Sequence, residues 1–373
     1  MSEHYLGLIS GTSADGIDAV IAEFEADRFV GLKATHQHHY APELRARLLQ
    51  LSIDQPELSM REFCALDAAV GDAFADAALA ILAASGVDTG AITAIGSHGQ
   101  TVFHDGPARL TLQFGDANRI VAATGIATIA DFRRIDLALG GQGAPLVPAF
   151  HQAVFSKLGE ARCVLNLGGI ANITVLPGAS GRPVRGFDTG PANGLMDEWM
   201  QVQRGQPFDA NGSFAASGQP IAALVDALLG DPYFALPAPK STGRDYFRLD
   251  WVRRRFPGLA LLAPHDVQAS LAAVTARSVA DAIRAEIPDA ARVMVCGGGA
   301  RNGELMRLLQ AELPSAVVET TDAAGLAPEW IEAAAFAWLA MRRVNGLSGN
   351  LPAVTGARRF AALGSMVLAR ASH

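Results

Sequence analysis

One feature restricts the fold more than any other: a strand–turn–strand unit that occurs twice. Residues 5–10 form a short apolar run and residues 11–16 a polar turn with a glycine at each end. Residues 17–24 then alternate apolar and polar positions, as a returning strand does. Near the middle of the chain, residues 162–167 run into Gly168-Gly169 and return through residues 170–176. A further strand is expected after each unit, over 29–40 and 184–187. A pair of hairpins at the heads of two halves can present one glycine turn from each half to a polyphosphate. Two unrelated hairpins in an ordinary α/β protein have the same shape, so shape alone leaves both readings open.

The rest of the chain alternates strands and helices. Residues 42–85 are Ala/Leu-rich at helical spacing, 94–97 and 110–114 read as short strands, and 118–124 starts a helix. Helical periodicity returns at 195–203, 267–287, 303–313 and 330–344, with a strand at 292–295. At 373 residues, half of them hydrophobic, the chain has enough material for two ordinary domains. The expected division is a first lobe over 1–135, with 354–373 packing back on it, and a second lobe over 136–353.

Charge excludes some classes. The 37 acidic residues outnumber 30 basic ones, the net charge is -7, and no basic run is present, so no nucleic-acid partner is expected. The apolar runs at 120–130 and 333–341 fall short of the roughly 18–20 residues that span a bilayer, and there is no secretory leader pattern, so no membrane partner is expected. Cys64, Cys163 and Cys296 lack metal or disulfide spacing and read as small hydrophobes. The expected location is cytoplasmic.

A P-loop is absent: Lys240-Ser241-Thr242 has the right tail, but Pro237 and Pro239 stand where its glycines would be. Gly297-Gly298-Gly299 lies between a strand and a helix, yet Asn302 replaces the third glycine of a dinucleotide fingerprint. Such a turn still offers N–H groups to a phosphate or an adenosine. The richest segment is Gly11-Thr12-Ser13-Ala14-Asp15-Gly16-Ile17-Asp18. Its glycines let a backbone approach phosphate and its hydroxyls donate to phosphate oxygens. Asp15 and Asp18 beside a phosphate require an intervening cation, which points to Mg²⁺ held largely through water. An ordinary Asp-Gly hairpin is the competing reading.

Taken in order, several segments resemble the anhydro-N-acetylmuramic acid kinases. They are SGTSADGID (10–18), GSHGQTVFH (96–104), LQFGD (112–116), ADFRR (130–134), GGQGAPLVP (140–148), NLGGIANIT (166–174), GFDTGPAN (186–193), PKSTGR (239–244), CGGGARN (296–302) and TGA (355–357). The resemblance runs essentially the whole chain. It implies an α/β, two-lobed, actin-like fold of the actin/hexokinase/heat-shock ATPase type. Each lobe would be a mixed β-sheet flanked by helices, with ATP and sugar in the interlobe cleft. The family uses ATP to open the 1,6-anhydro ring of its amino sugar with water and to phosphorylate O6, and is usually dimeric. ATP, Mg²⁺, an anhydro amino sugar and a homodimer are therefore expected.

Carried over residue by residue, the resemblance makes Asp188 the general base; read by itself, Asp188 is rather an N-cap for a helix starting near Pro191 or Ala192. Gly11 to Asp18 and Gly168-Gly169 become the phosphate-facing turns, and Gly297, Gly298 and Gly299 the adenosine side. Asn166 and Asn172 either orient the second turn or cap it. His98, Gln100, Thr101 and His104 form a polar cluster that reads as sugar recognition, a metal pair or satisfied core polar groups. The resemblance puts His98, Gln100 and Thr101 at the sugar, and Glu332 either at the sugar or as a first-turn helix carboxylate. Arg134 or Arg133 would pair with the lactyl carboxylate, a surface salt bridge being the alternative. Two departures from the family pattern stand out. Ala14 replaces a larger apolar residue, and Ala192 replaces a glycine whose loss matters if its φ must be positive. An ordinary hydroxyl sugar kinase of the same fold and a nucleotide-switched ATPase without a sugar are the alternative functions.

Overall fold

The computed structural model describes residues 2–368 apart from Thr12, Ser180 and Arg244. Thr12, expected at the phosphates, thus lies outside the described residues. The chain divides into two compact units, Met1–Val154 with Trp330–His373, and Phe155–Glu329. The first boundary falls 19 residues beyond the expected 135/136. The segment 330–353 belongs to the first unit rather than the second.

The first unit is built on strands β1 (Ser2–Ser10), β2 (Ile17–Glu25), β3 (Arg28–His38), β4 (Ile92–Asp105), β5 (Leu110–Phe114), β6 (Thr128–Ala130) and, from the C-terminal segment, β12 (Ser365–Val367). Their order is β12-β6-β4-β1-β2-β3, with β5 on β4. The second unit contains β7 (Arg162–Leu167), β8 (Ile170–Leu176), β9 (Arg185–Pro191), β10 (Arg292–Cys296) and β11 (Val317–Thr320), in the order β11-β10-β7-β8-β9. Both sheets share one plan. An antiparallel meander (β1-β2-β3 or β7-β8-β9) is joined at its first strand by two further parallel strands (β4 and β6, or β10 and β11). A plan repeated strand for strand separates a duplicated fold from two unrelated hairpins.

Sequence explains why the first sheet can carry its last long helix so closely. Gly7 and Gly96 are register partners on β1 and β4. A Cβ on Gly7 would lie 2.0 Å from the Ala333 carbonyl oxygen, and one on Gly96 2.1 Å from that of Phe336. The helix Ile331–Val344 answers with Ala333, Ala334, Ala335, Ala337 and Ala340, all fully buried. Backbone meets backbone there, as in close-packed interiors generally. The core of the second unit is larger and centres on the helix Pro264–Glu286, where Val267, Leu271, Val274, Val279 and Ile283 are buried.

The helix Met60–Ser85 corrects the expectation that no stretch approaches bilayer length. It has 26 residues and a mean hydropathy of 1.5 in its most apolar window. Val70, Phe74, Ala77, Ala78 and Ile81 on it are fully buried in the first unit's core, which accounts for its composition.

Candidate active site

In the second unit, Asp188 lies on β9, the edge strand of its sheet. Ala171 pairs with Gly190 but Asn172 pairs with Asp188, so Thr189 is an extra residue, and bulges of this kind re-aim neighbouring side chains. Gly190 has φ 153°, and a Cβ there would sit 2.7 Å from the Phe234 ring. The Asp188 carboxylate accepts one hydrogen bond, from the Thr242 N–H to Oδ2 at 3.0 Å. Among the described residues its other oxygen accepts none. Burial raises its pKa to about 6, opposed by the Thr242 bond. Asp188 is therefore not a helix cap. The helix Asn193–Arg204 starts five residues later on Ala192, which caps through no side chain.

Ala192 itself is fully buried with φ -131°, so the position does not use the left-handed region that only glycine enters freely. Its N–H donates to the Gly169 carbonyl at 3.2 Å, and those of Asn193 and Gly194 donate to Gly168 and Gly169 at 3.0 and 3.2 Å. The start of this helix is thereby tied to the second glycine turn.

The glycine segments of the second unit converge. Cys296 is the register partner of Asn166, and Asn166 that of Asn172. A Cβ on Gly297 would lie 2.3 Å from Asn166 Oδ1, and one on Gly299 2.5 Å from Leu167 Cβ. Asn193 donates through Nδ2 to the Leu167 carbonyl at 3.0 Å and lies beside Gly298 and Gly299. Gly168-Gly169 and Gly297–Gly299 thus form one backbone-lined surface, with Gly298 exposed. Asn193 ends the GFDTGPAN segment, but a single Asn after a turn carries no signal of its own for this role.

In the first unit, Gly11 is exposed with nothing within 4 Å of an added Cβ, leaving open backbone at the turn. Ser13 is half-buried, and Ile17 is fully buried, so its contribution is to the core. A Cβ on Gly16 would lie 2.9 Å from the His38 carbonyl. Ala14 has φ 49° and is buried; its N–H closes the turn on Gly11 O at 3.0 Å, and its carbonyl accepts from Arg45 at 3.1 Å. Arg45 also binds Asp15 Oδ1 at 2.6 Å, whereas Asp18 Oδ1 accepts from the neutral Gln37 amide at 3.1 Å. Among the described residues no cluster of three or more His, Cys, Asp or Glu would hold a metal alone. A cation shared with a polyphosphate needs only one or two carboxylates, and of the two in this turn Asp15 is already paired with Arg45.

The residues expected at the sugar divide into two groups. Gln100 is fully buried and donates to the Gly11 carbonyl at 3.1 Å, so it holds the turn. Thr101 Oγ1 accepts from Gln113 at 3.2 Å. Arg134 is exposed and pairs with Asp131 at 3.3 Å, the surface salt bridge weighed as its alternative. Its neighbour Arg133 turns the other way. Arg133 donates to His98 Nε2 at 2.8–3.1 Å and to the Gly143 carbonyl at 2.8 Å. His98 is buried, its ring centre lies 4.6 Å from that of Phe336 with the planes tilted by 39°, and it uses Nδ1 toward the Gly99 carbonyl at 2.9 Å. Burial and the Arg133 charge keep it neutral. Glu332 is solvent-accessible, yet the protein packed round its carboxyl raises its pKa; Arg133 opposes the rise and Asp18 adds to it. Burial in turn lowers Arg133 to about 10, against the pull of Glu332. Arg133, Glu332, Asp18 and His98 therefore form one electrostatic group.

Comparison with known proteins bears on this arrangement. The chain matches the family model "Anhydro-N-acetylmuramic acid kinase" over residues 3–369. The chain belongs to that family. Curated relatives named anhydro-N-acetylmuramic acid kinase include one from Xanthomonas campestris pv. campestris (strain 8004), 52% identical over 97% of this chain and 96% of the relative. Another, from Shewanella halifaxensis (strain HAW-EB4), is 50% identical over 98% of each chain. Among solved structures, component A of the (R)-2-hydroxyglutaryl-CoA dehydratase of Acidaminococcus fermentans is 10% identical with a TM-score of 0.49, over 92% of this chain and 99% of that one. The duplicated strand order, rather than this distant likeness, defines the fold class for this member of the anhydro-N-acetylmuramic acid kinase family.

Proposed function

We propose that this chain is an ATP-dependent kinase that opens the 1,6-anhydro ring of 1,6-anhydro-N-acetylmuramic acid and phosphorylates O6, yielding N-acetylmuramic acid 6-phosphate and ADP in cell-wall recycling. The observation that carries the reading is Asp188, a partly buried carboxylate with one oxygen engaged, raised to about 6 in a chain that belongs to this family. A base with that pKa is ionised at neutral pH and more basic than an ordinary carboxylate. Asp188 takes one proton from a water as the water oxygen bonds to C1. The C1–O6 bond breaks, its electron pair stays on O6, and O6 attacks the γ-phosphorus of ATP while the bond to the ADP oxygen breaks. The water's second hydrogen remains on the new C1 hydroxyl, and Asp188 returns its proton to solvent.

Phosphoryl transfer needs placement and charge neutralisation more than covalent help. Gly168, Gly169, Gly297, Gly298 and Gly299, with Asn166 and Asn193 behind them, are assigned to the nucleotide, as is the turn from Gly11 to Asp18. Mg²⁺, when bound with ATP, neutralises charge on the phosphate oxygens; Asp18 would hold it through water. Arg133, rather than the exposed Arg134, is assigned to the sugar's carboxylate, because it is the cation grouped with Glu332 and His98. Glu332 is assigned to a sugar hydroxyl or amide. A cytoplasmic homodimer completes the proposal.

Incubation of the purified protein with the anhydro sugar and Mg-ATP in ¹⁸O-water is the test. The expected product is the sugar 6-phosphate carrying one ¹⁸O at C1 at early times, before anomeric exchange blurs the label. An unchanged anhydro sugar would sink the assignment. Phosphorylation of open N-acetylmuramic acid alone would replace it with an ordinary hydroxyl kinase.

A further inference from the structure

Asp188 is held by a segment far from it in sequence. Its N–H donates to the Lys240 carbonyl at 3.0 Å, its carbonyl accepts from the Tyr233 hydroxyl at 2.7 Å, and its carboxylate accepts from the Thr242 N–H. Both main-chain polar groups and one carboxylate oxygen are thus bound to residues 233–242. This segment is closed on itself. Lys240 Nζ donates to the carbonyls of Tyr233 and Phe234, each at 3.0 Å, and lies 4.7 Å from the centre of the Tyr233 ring.

The segment is anchored at its start by Asp231, which is 3% exposed. Its two oxygens accept from the Tyr233 N–H (2.8 Å), the Tyr246 hydroxyl (2.9 Å), the Trp251 indole (2.8 Å) and Arg255 (2.6 Å). Burial pushes the Asp231 carboxyl up, but these donors outweigh it and hold it below the usual range, so the anchor is a charge. Tyr233 is further fixed by edge-to-face contact with Phe247 at 5.3 Å. A buried carboxylate with four donors is costly to build and rigid once built.

We propose that Tyr233 and Asp231 are positioning residues for the base: Asp231 fixes Tyr233, and Tyr233 and Lys240 hold the segment so that the Thr242 N–H meets Asp188 Oδ2 and leaves the other oxygen for water. This inference rests on the assignment of Asp188 as base. Among the described residues of the segment, the titratable group facing Asp188 is Tyr233; the Lys240 ammonium is turned to the Tyr233 and Phe234 carbonyls, and on β9 itself Arg185 binds the Ala238 carbonyl and Glu286. From β8 the register partner of Asp188 is the neutral Asn172, and the helix Pro264–Glu286 meets β9 beyond it, at Gly190 and Pro191, through the neutral Ser278 and Thr275. Without the Tyr233 hydroxyl, the segment relaxes and the Thr242 bond that lowers Asp188 weakens. The base then titrates higher and points less well.

Tyr233→Phe in the full-length protein tests this through the pH profile of kcat. The expected result is a fall in kcat of about tenfold, the cost of modest misplacement, KM for ATP within about twofold, and an acid limb moved to higher pH. Lys240→Met, which opens the same clamp at a half-exposed side chain, should move the limb in the same direction. Asp188→Asn is run alongside. If Asp188→Asn keeps turnover, the base assignment itself fails. If Asp188→Asn is inactive while folded Tyr233→Phe or Lys240→Met keeps both the wild-type kcat and the wild-type acid limb, the positioning role is overturned and the base assignment stands.

Discussion

At the scale of single residues, burial makes Asp188 both useful and costly. With its pKa at about 6, activity that needs the ionised carboxylate should fall about tenfold per unit as the pH drops below 6. A profile of kcat flat down to pH 5 would exclude Asp188 as the base. The same shift has a consequence for stability of definite sign. The folded carboxyl binds its proton more tightly than the unfolded one, about 6 against 3.8. Its burial penalty is therefore absent below pH 3.8, grows through the interval, and is complete above pH 6. Asp188→Asn should be more stable than wild type at pH 8, by roughly 1–2 kcal/mol after discounting for its partial exposure. The difference should close near pH 4. Urea melts at the two pH values measure it, and an equal difference at both would contradict the assigned shift.

At the scale of elements, the seat of the helix Ile331–Val344 on β1 and β4 depends on two missing side chains. Gly7→Ala or Gly96→Ala drives a Cβ to about 2 Å from a main-chain oxygen of that helix. Because backbone cannot swing aside as a flexible side chain does, each should cost about 3 kcal/mol or more. The two clash with one helix, so the double variant should cost less than the sum of the singles. Additive losses in a denaturation cycle would mean that the helix does not move as a unit. This contact also shows where sequence reading stops. The helix and both strands were legible from periodicity, and the hairpin turns from their glycines, because those signals are local. That Gly7 and Gly96 face each other across a parallel register was not, since 89 residues separate them. The Thr242 bond to Asp188 spans 54 residues for the same reason. The sequence marked Arg133 and Arg134 as interchangeable. A helix that begins at Arg134 separates them, leaving one on the surface with Asp131 and turning the other toward His98.

At the scale of the whole molecule, the two units repeat one strand plan but differ in how the chain supplies it. The second, Phe155–Glu329, is a single continuous stretch with its own core from Ala161 to Ala316. The first is completed only by Trp330–His373, which contributes the alanine-rich helix and the strand β12 paired antiparallel with β6. A fragment covering 155–329 should therefore fold alone and melt cooperatively, being of ordinary domain size. A fragment covering 1–154 leaves Gly7 and Gly96 bare on a sheet whose covering helix is missing, so it should lack a cooperative transition. Joining 330–373 to it through a flexible linker should restore one. Calorimetry of the three fragments is decisive: a cooperative melt from 1–154 alone would show that the helix decorates the first unit, whereas its recovery only with 330–373 would show that the helix completes it.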